Sequence, residues 1–341
     1  MFEKVFILNV PSFYKVNLLN RISDQINIYV IFLSINNNDR SMNFVSEEMR
    51  FKNIILSQKK FENRNKVFIF FKLYKTISTL RYKQLIVGGW DILEIFFLLL
   101  LKKNNNTSMI LESTIYDSKV KGVYRLYKKT FLLFINKVFA SGALHKKLLI
   151  ALGYKGKIII TKGVGIINKP ETQFREKNYN KKFLFVGRLI KEKNLEFLIS
   201  IFNKLPNFSL TIVGDGFLKE ILSSKSNNNI IFIGHVDNDK LGALLNNADF
   251  LILPSIKETW GLVIEESLYY NTPVIISSKC GAVELVDNRF NGIVIDPYNL
   301  ESTIKIIEGI TKIKYKNFVN NIDTNSLKEK DIKQVNYYIE N

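Results

Sequence analysis

The sequence predicts an α/β protein made of two doubly wound, parallel-sheet domains. Short β-rich runs alternate with longer stretches of helical periodicity along the whole chain. A length of 341 residues suits two domains of about 150–170 residues each. A polar stretch with Pro170, Asn168–Lys182, separates two such alternating series. A βαβα order of this kind gives parallel sheets flanked by helices.

In the first half, strands are expected at Lys4–Leu8, Ile28–Leu33, Gln84–Val87, Ser108–Leu111, Lys137–Ala140 and Lys157–Thr161. In the second they are expected at Lys182–Val186, Ser209–Val213, Ile230–Ile233, Phe250–Leu253, Pro273–Ser277 and Gly292–Val294. Between them, residues such as Leu195, Leu198, Ile199 and Phe202 keep helical spacing. Asn36–Asn63 is polar and irregular and reads as an excursion from the first domain. Lys312–Thr324 reads as another polar stretch before a last helix, Ser326–Tyr338. The most apolar run, Ile95–Leu101, is far short of the roughly 20 residues that span a bilayer and reads as a buried helix. The expected organisation is a first domain over 1–168, a linker over 169–182 and a second domain over 183–320. A terminal helix over 321–341 is a candidate to return to the first domain. In such sheets ligands bind at the carboxyl ends of the strands, in the crevice between domains.

Apolar residues make up 47% and charged residues 23%, which supports a packed core and excludes wholesale disorder. One cysteine excludes a disulfide framework and a Cys-based zinc site. His145 and His235 are 90 positions apart, so no metal centre is expected. Met1-Phe2-Glu3-Lys4 runs straight into an expected strand without a small-residue cleavage site, so a cytoplasmic location is expected. The net charge of +18 is uneven: residues 1–170 hold 28 Lys and Arg against 10 Asp and Glu, and residues 171–341 hold 21 of each. Such asymmetry concerns partners: a nucleic acid, an anionic membrane surface or an acidic substrate. Lys119–Lys137 mixes cations and aromatics on an expected helix, which suits anionic lipid or a solvated helix with an apolar core side.

Three segments of the second half carry chemistry. After the strand ending near Val186, Gly187 permits a tight turn, and Arg188 and Lys193 precede a helix start. Two cations beside a helix N-terminus suit a pyrophosphate. Spacing alone also allows two solvated loop cations. Val213-Gly-Asp-Gly-Phe-Leu-Lys219 is half of a dinucleotide fingerprint, with Lys219 at the third glycine site, and reads better as a tight α/β turn. The third segment, Leu253–Ser267, sets Glu258 on a loop and Gly261, Leu262 and Val263 at a helix N-terminus, where free amides attract anions. Glu266, one turn in, suits a pair of ribose hydroxyls, while Glu265 reads as part of a solvated face. Cys280 has no nearby His and reads as inert packing.

Together residues 183–296 resemble the donor domain of glycosyltransferase family 4, retaining enzymes of GT-B fold. The runs V-G-R-L-x-x-E-K-N (186–194), I-V-G-D-G (212–216), I-G-H-V (233–236), the long A-D-F-L-I-L-P-S run through Glu-Ser267 (248–267), N-T-P-V-I (271–275) and N-G-I-V (291–294) appear in order. Glu258 and Glu266 fit the family's E-x7-E motif. The resemblance implies two Rossmann-like domains facing across a cleft. It implies that Gly187, Arg188 and Lys193 hold the donor diphosphate and that Glu258 faces the transferred sugar. Thr259, Trp260 and Gly261 would position sugar hydroxyls, Leu262 and Val263 would give amides to phosphates, and Glu266 would bind ribose. His235 and Val236 would lie near the nucleobase. It implies no cofactor and no metal, the cations taking that role.

The first half resembles the family less. Asn9–Val16 looks like the Pro-x-Tyr-Arg variant of some polysaccharide-building members, with Tyr14 ahead of Lys15 and Lys15 in the Arg position. Gly88-Gly89-Trp90 and Glu112-Ser113-Thr114 follow two expected strands and are acceptor-side candidates. The implied function is transfer of a sugar from a UDP- or GDP-type donor to a lipid-linked saccharide in O-antigen- or capsule-like synthesis. The protein would sit peripherally on the inner face of the cytoplasmic membrane, with no nucleic-acid partner. Two rival readings are a nucleic-acid binder using its basic half and an inactive nucleotide-sugar-binding subunit.

Overall fold

A computed structural model describes residues 1–36, 48–102, 106–169 and 178–341. The chain divides into two compact units, Met1–Asn168 with Lys330–Asn341, and Lys169–Glu329.

The first unit runs β1 (Phe2–Leu8), α1 (Phe13–Ser23), β2 (Ile28–Phe32), β3 (Lys52–Ile55), α2 (Lys66–Thr79), β4 (Tyr82–Gly88), α3 (Leu93–Leu101), β5 (Thr107–Leu111), α4 (Gly122–Leu132), β6 (Lys137–Ala140), α5 (Ala143–Leu152) and β7 (Lys157–Ile160). Its seven strands are all parallel, in the order β3-β2-β1-β4-β5-β6-β7. Alternate residues of β1 feed opposite faces, as the pleat requires. Val5 and Ile7 join a core with Leu73 of α2, Leu98 of α3, Phe131 of α4 and Leu148 of α5. Phe6 and Leu8 join the other core with Val16 and Leu19 of α1.

The second unit runs β8 (Lys182–Val186), α6 (Leu195–Asn203), β9 (Ser209–Val213), α7 (Lys219–Ser224), β10 (Ile230–Gly234), α8 (Asn238–Asn247), β11 (Phe250–Leu253), α9 (Leu262–Tyr269), β12 (Val274–Ser277), β13 (Gly292–Ile295), α10 (Leu300–Glu308) and α11 (Lys312–Asn320). The six strands are parallel, in the order β10-β9-β8-β11-β12-β13. The last helix, α12 (Thr324–Glu340), puts Val335 and Tyr338 into the first unit's α1-side core. The strand order reverses between β1 and β4 in one sheet and between β8 and β11 in the other. Loops leaving the carboxyl ends of those strands diverge and leave room for a ligand.

Three sequence expectations need correction. Asn36–Asn63 was expected to be irregular, yet β3 lies inside it, paired with β2 from Tyr29↔Lys52 to Phe32↔Ile55. It is an edge strand, so Lys52 and Asn53 stay exposed and the apolar signal shrinks to Ile54 and Ile55. Residues 37–47 of that stretch, like 170–177 of the polar linker, lie outside the described residues. Lys312–Asn320, expected to be a polar connection, is helical: Thr311 caps it through Lys314 N (3.2 Å), and Tyr315 and Phe318, three apart, anchor it. The Ile95–Leu101 helix is only half buried. Ile95, Leu98 and Leu99 meet the sheet, whereas Phe97, Leu100 and Leu101 are exposed. No helix among the described residues is long and apolar enough to cross a membrane.

The α12 anchor is a testable contact. The buried Tyr338 ring lies 4.4 Å from Phe139 and 6.3 Å from Phe6. Tyr338→Ala leaves a ring-sized void and should cost about 3–5 kcal/mol in urea unfolding.

Candidate active site

The candidate site of the second unit grows from the β8/β11 reversal. The loop after β8 carries Gly187, Arg188 and Lys193; the loop after β11 carries Glu258 to Gly261. Backbone hydrogen bonds join the two. Ile256 N donates to Glu192 O at 2.9 Å. Asn194, in left-handed backbone (φ 57°) ahead of α6, donates its side-chain amide to Pro254 O (3.3 Å) and Pro297 O (2.8 Å). A third loop supports Glu258 from below: Gly281 N donates to Glu258 O, and Ala282 N to Trp260 O, both at 2.9 Å. With the backbones so fixed, Lys193 Nζ and Glu258 Oε2 form an ion pair. Arg188 is exposed beside them in sequence.

Helix α9 begins at Leu262, directly after this loop. Gly261 has φ 93°, a backbone that favours glycine, and turns the chain into the helix without a side-chain cap. The amides of Leu262 and Val263 have no acceptor among the described residues. Glu266, one turn on, is partly exposed, and its carboxylate has no hydrogen-bond or ion-pair partner among the described residues. Desolvation first, and then the neighbouring Glu265 carboxylate, pushes the Glu266 carboxyl up to about 7.

Glu265 does not lie on a solvated face, as the sequence suggested. It is buried and accepts from Trp260 Nε1 at 2.5 Å. A buried indole N–H needs an acceptor, and Glu265 supplies it. The Trp260 ring is therefore packed in the core, whereas Thr259 is exposed. Cys280 is buried, donates to Trp260 O at 2.9 Å, and burial pushes its thiol up, so it is packing as expected.

Gly214 and Gly216 serve a structural turn. A Cβ on Gly214 would lie 1.9 Å from Gly187 O, and one on Gly216 2.5 Å from Leu189 O. Leu189 N also donates to Asp215 O at 2.9 Å, so this turn braces the Arg188 loop. His235 and Val236 follow β10 at the sheet edge, two strands from β8; His235 is exposed, 3.8 Å from Asp237.

In the first unit the acceptor-side candidates collect at the carboxyl ends of β1, β4 and β5. Lys15 Nζ pairs with Glu112 Oε1 at 2.8 Å. Tyr14 is buried, and its carbonyl accepts from Ile166 N at 2.8 Å. Gly88 ends β4 and Gly89 follows it, Gly89 N donating to Ile110 O at 3.1 Å. Trp90 is buried beneath Lys128 (5.2 Å to the ring), and its carbonyl accepts from Tyr127 OH at 2.7 Å. Thr114 is buried in a turn and donates its amide to Asp117 Oδ1 at 2.9 Å, while Ser113 is half-buried. Two residues here were not singled out by sequence. Burial pushes the Asp117 carboxyl up to about 6. Buried His145, at the start of α5, sets Nε2 3.2 Å from the Glu112 carbonyl. No signal joined His145 to Glu112, because 33 residues separate them. No three His, Cys, Asp or Glu side chains gather as a metal-ligand set among the described residues.

Comparison with known proteins bears on the second unit most directly. Residues 168–328 match the family model "Glycosyl transferases group 1". An uncharacterized glycosyltransferase of Methanocaldococcus jannaschii is 31% identical over 161 residues, 45% of this chain and 39% of its own length. The O-antigen biosynthesis glycosyltransferase WbnH of Escherichia coli is 28% identical over 183 residues, 52% of each chain. The alignments thus span about half or less of these relatives. Anabaena HepE, solved with UDP and glucose, superposes with a TM-score of 0.75 at 15% identity, covering 99% of this chain and 98% of its own. Two parallel-sheet α/β units and this likeness give the chain the GT-B fold.

Two measurements check the site. Trp260→Phe keeps one aromatic ring but removes the N–H donor to a buried carboxylate together with the fused five-membered ring, and should cost at least about 1.5–3 kcal/mol in urea unfolding; Thr259→Ala at its exposed neighbour should change stability by under about 0.5 kcal/mol. Glu266 makes stability depend on pH. Between its ordinary value of 4.5 and about 7, the folded chain keeps a proton that the unfolded chain has released. Stability therefore falls as pH rises through that window and levels off above it. Glu266→Gln should flatten this slope relative to the wild type in unfolding curves across it.

Proposed function

We propose that the chain is a retaining, metal-independent glycosyltransferase that moves a sugar from a nucleotide-sugar donor to a lipid-linked saccharide of the O-antigen or capsule type. The observation that carries this reading is the set of groups at the β8/β11 reversal. Two cations, two helix amides and a carboxylate lie after the paired strands β8 and β11, the amides and the carboxylate having no partner among the described residues. The match of residues 168–328 to glycosyl transferases group 1, and the O-antigen relative, support it.

On this reading the donor diphosphate takes Arg188, Lys193 and the amides of Leu262 and Val263. It competes with Glu258 for Lys193, which frees Glu258 to face the transferred sugar. Ribose hydroxyls donate to Glu266, and His235 and Val236 border the base. As the bond from the sugar's anomeric carbon to the phosphate oxygen breaks, charge grows on the leaving diphosphate and the two cations stabilise it. The acceptor oxygen bonds that carbon on the same face, and its proton passes to the departing phosphate oxygen. Lys15 and Glu112, with the residues around Gly88–Trp90 and Ser113–Thr114, belong to the acceptor side. A UDP-type donor is supported by HepE, which was solved with UDP. The excess of cations in residues 1–170 suits an acceptor held at an anionic membrane surface on the cytoplasmic side.

Incubation of the purified protein with labelled nucleotide sugars and membrane extract should give labelled lipid-linked product with the donor's anomeric configuration. Lys193→Ala and Glu258→Ala should each lower turnover by about 100-fold or more. Wild-type turnover by Glu258→Ala, or an inverted product, would overturn the reading.

A further inference from the structure

Helices α2, α3 and α4 lie on one face of the first unit's sheet, sharing a core with β1 and β4. Their outer sides carry large apolar side chains. Phe68 and Phe71 of α2 are 56% and 63% exposed, Phe97 and Leu101 of α3 51% and 66%, and Leu126 of α4 67%. The three helices are joined ring to ring. Phe70 lies 5.4 Å from Phe71 and 6.3 Å from Phe97, Phe97 lies 5.8 Å from Phe96, and Phe96 lies 5.1 Å from Tyr127. Apolar exposure on three neighbouring helices marks an interaction surface rather than scattered surface hydrophobes.

Its charge has one sign. Neither α2 nor α4 contains Asp or Glu. The one acid of α3, Glu94, is buried and held by Arg64 through two hydrogen bonds of 2.7 and 3.0 Å. Exposed Lys66, Lys72 and Lys75 on α2, and Arg125 and Lys129 on α4, stand among the apolar groups. Lys72 Nζ lies 4.7 Å over the Phe68 ring and Lys102 Nζ 5.2 Å over the Tyr74 ring, so apolar and cationic groups share one surface. The exposed acids nearest in sequence, Glu62 and Asp91, sit in the segments before α2 and α3.

This combination selects the partner. A second copy of the chain, packed on this face by two-fold symmetry, would oppose like charges. A nucleic acid would meet the cations but bury little of the aliphatic Leu101 and Leu126. An anionic bilayer satisfies both, with rings and leucines in the headgroup–acyl boundary and cations at the lipid phosphates.

We infer that α2, α3 and α4 form a docking face for an anionic lipid membrane. This rests on the lipid-linked acceptor of the reading above and assigns its membrane to a surface, two of whose three helices lie outside the Lys119–Lys137 segment.

Flotation of the full chain with vesicles tests it without sugar transfer. Wild type should float with phosphatidylglycerol–phosphatidylethanolamine vesicles and stay behind with phosphatidylcholine alone. Lys66→Glu/Lys75→Glu should bind the anionic vesicles roughly tenfold or more weakly. Glu in the first turn suits the α2 N-terminus, so folding is not at risk there. Phe71→Ser/Phe97→Ser, both outside the core, should lose binding while keeping the wild-type melting temperature. The inference is overturned if wild type ignores anionic vesicles, if both double variants bind like wild type, or if light scattering shows a dimer that the Phe variants dissolve. UDP binding by calorimetry separates the two readings: UDP binding without vesicle binding sinks the docking face alone, and vesicle binding without nucleotide binding sinks the donor reading alone.

Discussion

Asn194 sits in left-handed backbone at the start of α6, and its one side-chain amide reaches the carbonyls of Pro254 and Pro297. Those carbonyls belong to the segments that follow β11 and β13, so one side chain ties three strand ends of the second sheet together. The bond from Ile256 N to Glu192 O and the two amides donated by Gly281 and Ala282 complete the brace. Every one of these contacts uses a main-chain partner, so the brace tolerates changes of neighbouring side chains better than a network of side-chain pairs would. The Lys193–Glu258 ion pair, the α9 amides and Glu266 all hang on this frame. The pairing of β8 with β11 brings the loops of Lys193 and Glu258, 65 residues apart in sequence, to one place, and this frame then fixes their backbones.

The pair also sets the electrostatics of the site. Each charge is largely withdrawn from water, and each has the other as its counterion. On the proposed reading, a donor diphosphate would have to displace Glu258 from Lys193, and until it does the pair spares either charge from being buried without a counterion. Glu266 has no such counterion among the described residues; desolvation first, and then the adjacent Glu265 carboxylate, lets its carboxyl hold its proton to a higher pH.

Much of this was legible in the sequence. The alternating order was sufficient for two parallel sheets, and the motifs placed Arg188, Lys193, Glu258 and Gly261 on loops after strands, where the structure has them. Failures came where a residue's surroundings are made by distant segments. Glu265 looks solvated by spacing, but Trp260 turns inward and needs an acceptor. β3 has a weak apolar signal because β2 covers only one of its edges. The Ile95–Leu101 run looked buried throughout because hydropathy does not say how many sides of a helix are covered.

Local chemistry along the chain therefore determined the α/β class, the positions of the glycine turns, the cations and carboxylates that follow the strands, and the concentration of positive charge in residues 1–170. These depend on periodicity and composition, which act over a few residues. Tertiary structure alone decided that Lys193 meets Glu258, that Lys15 meets Glu112 beside His145, and that three helices leave a basic, aromatic surface open to solvent. The physical reason is the crossover of parallel strands. It brings residues dozens of positions apart to one sheet edge and covers each helix on one side only, and neither outcome is written in any local pattern.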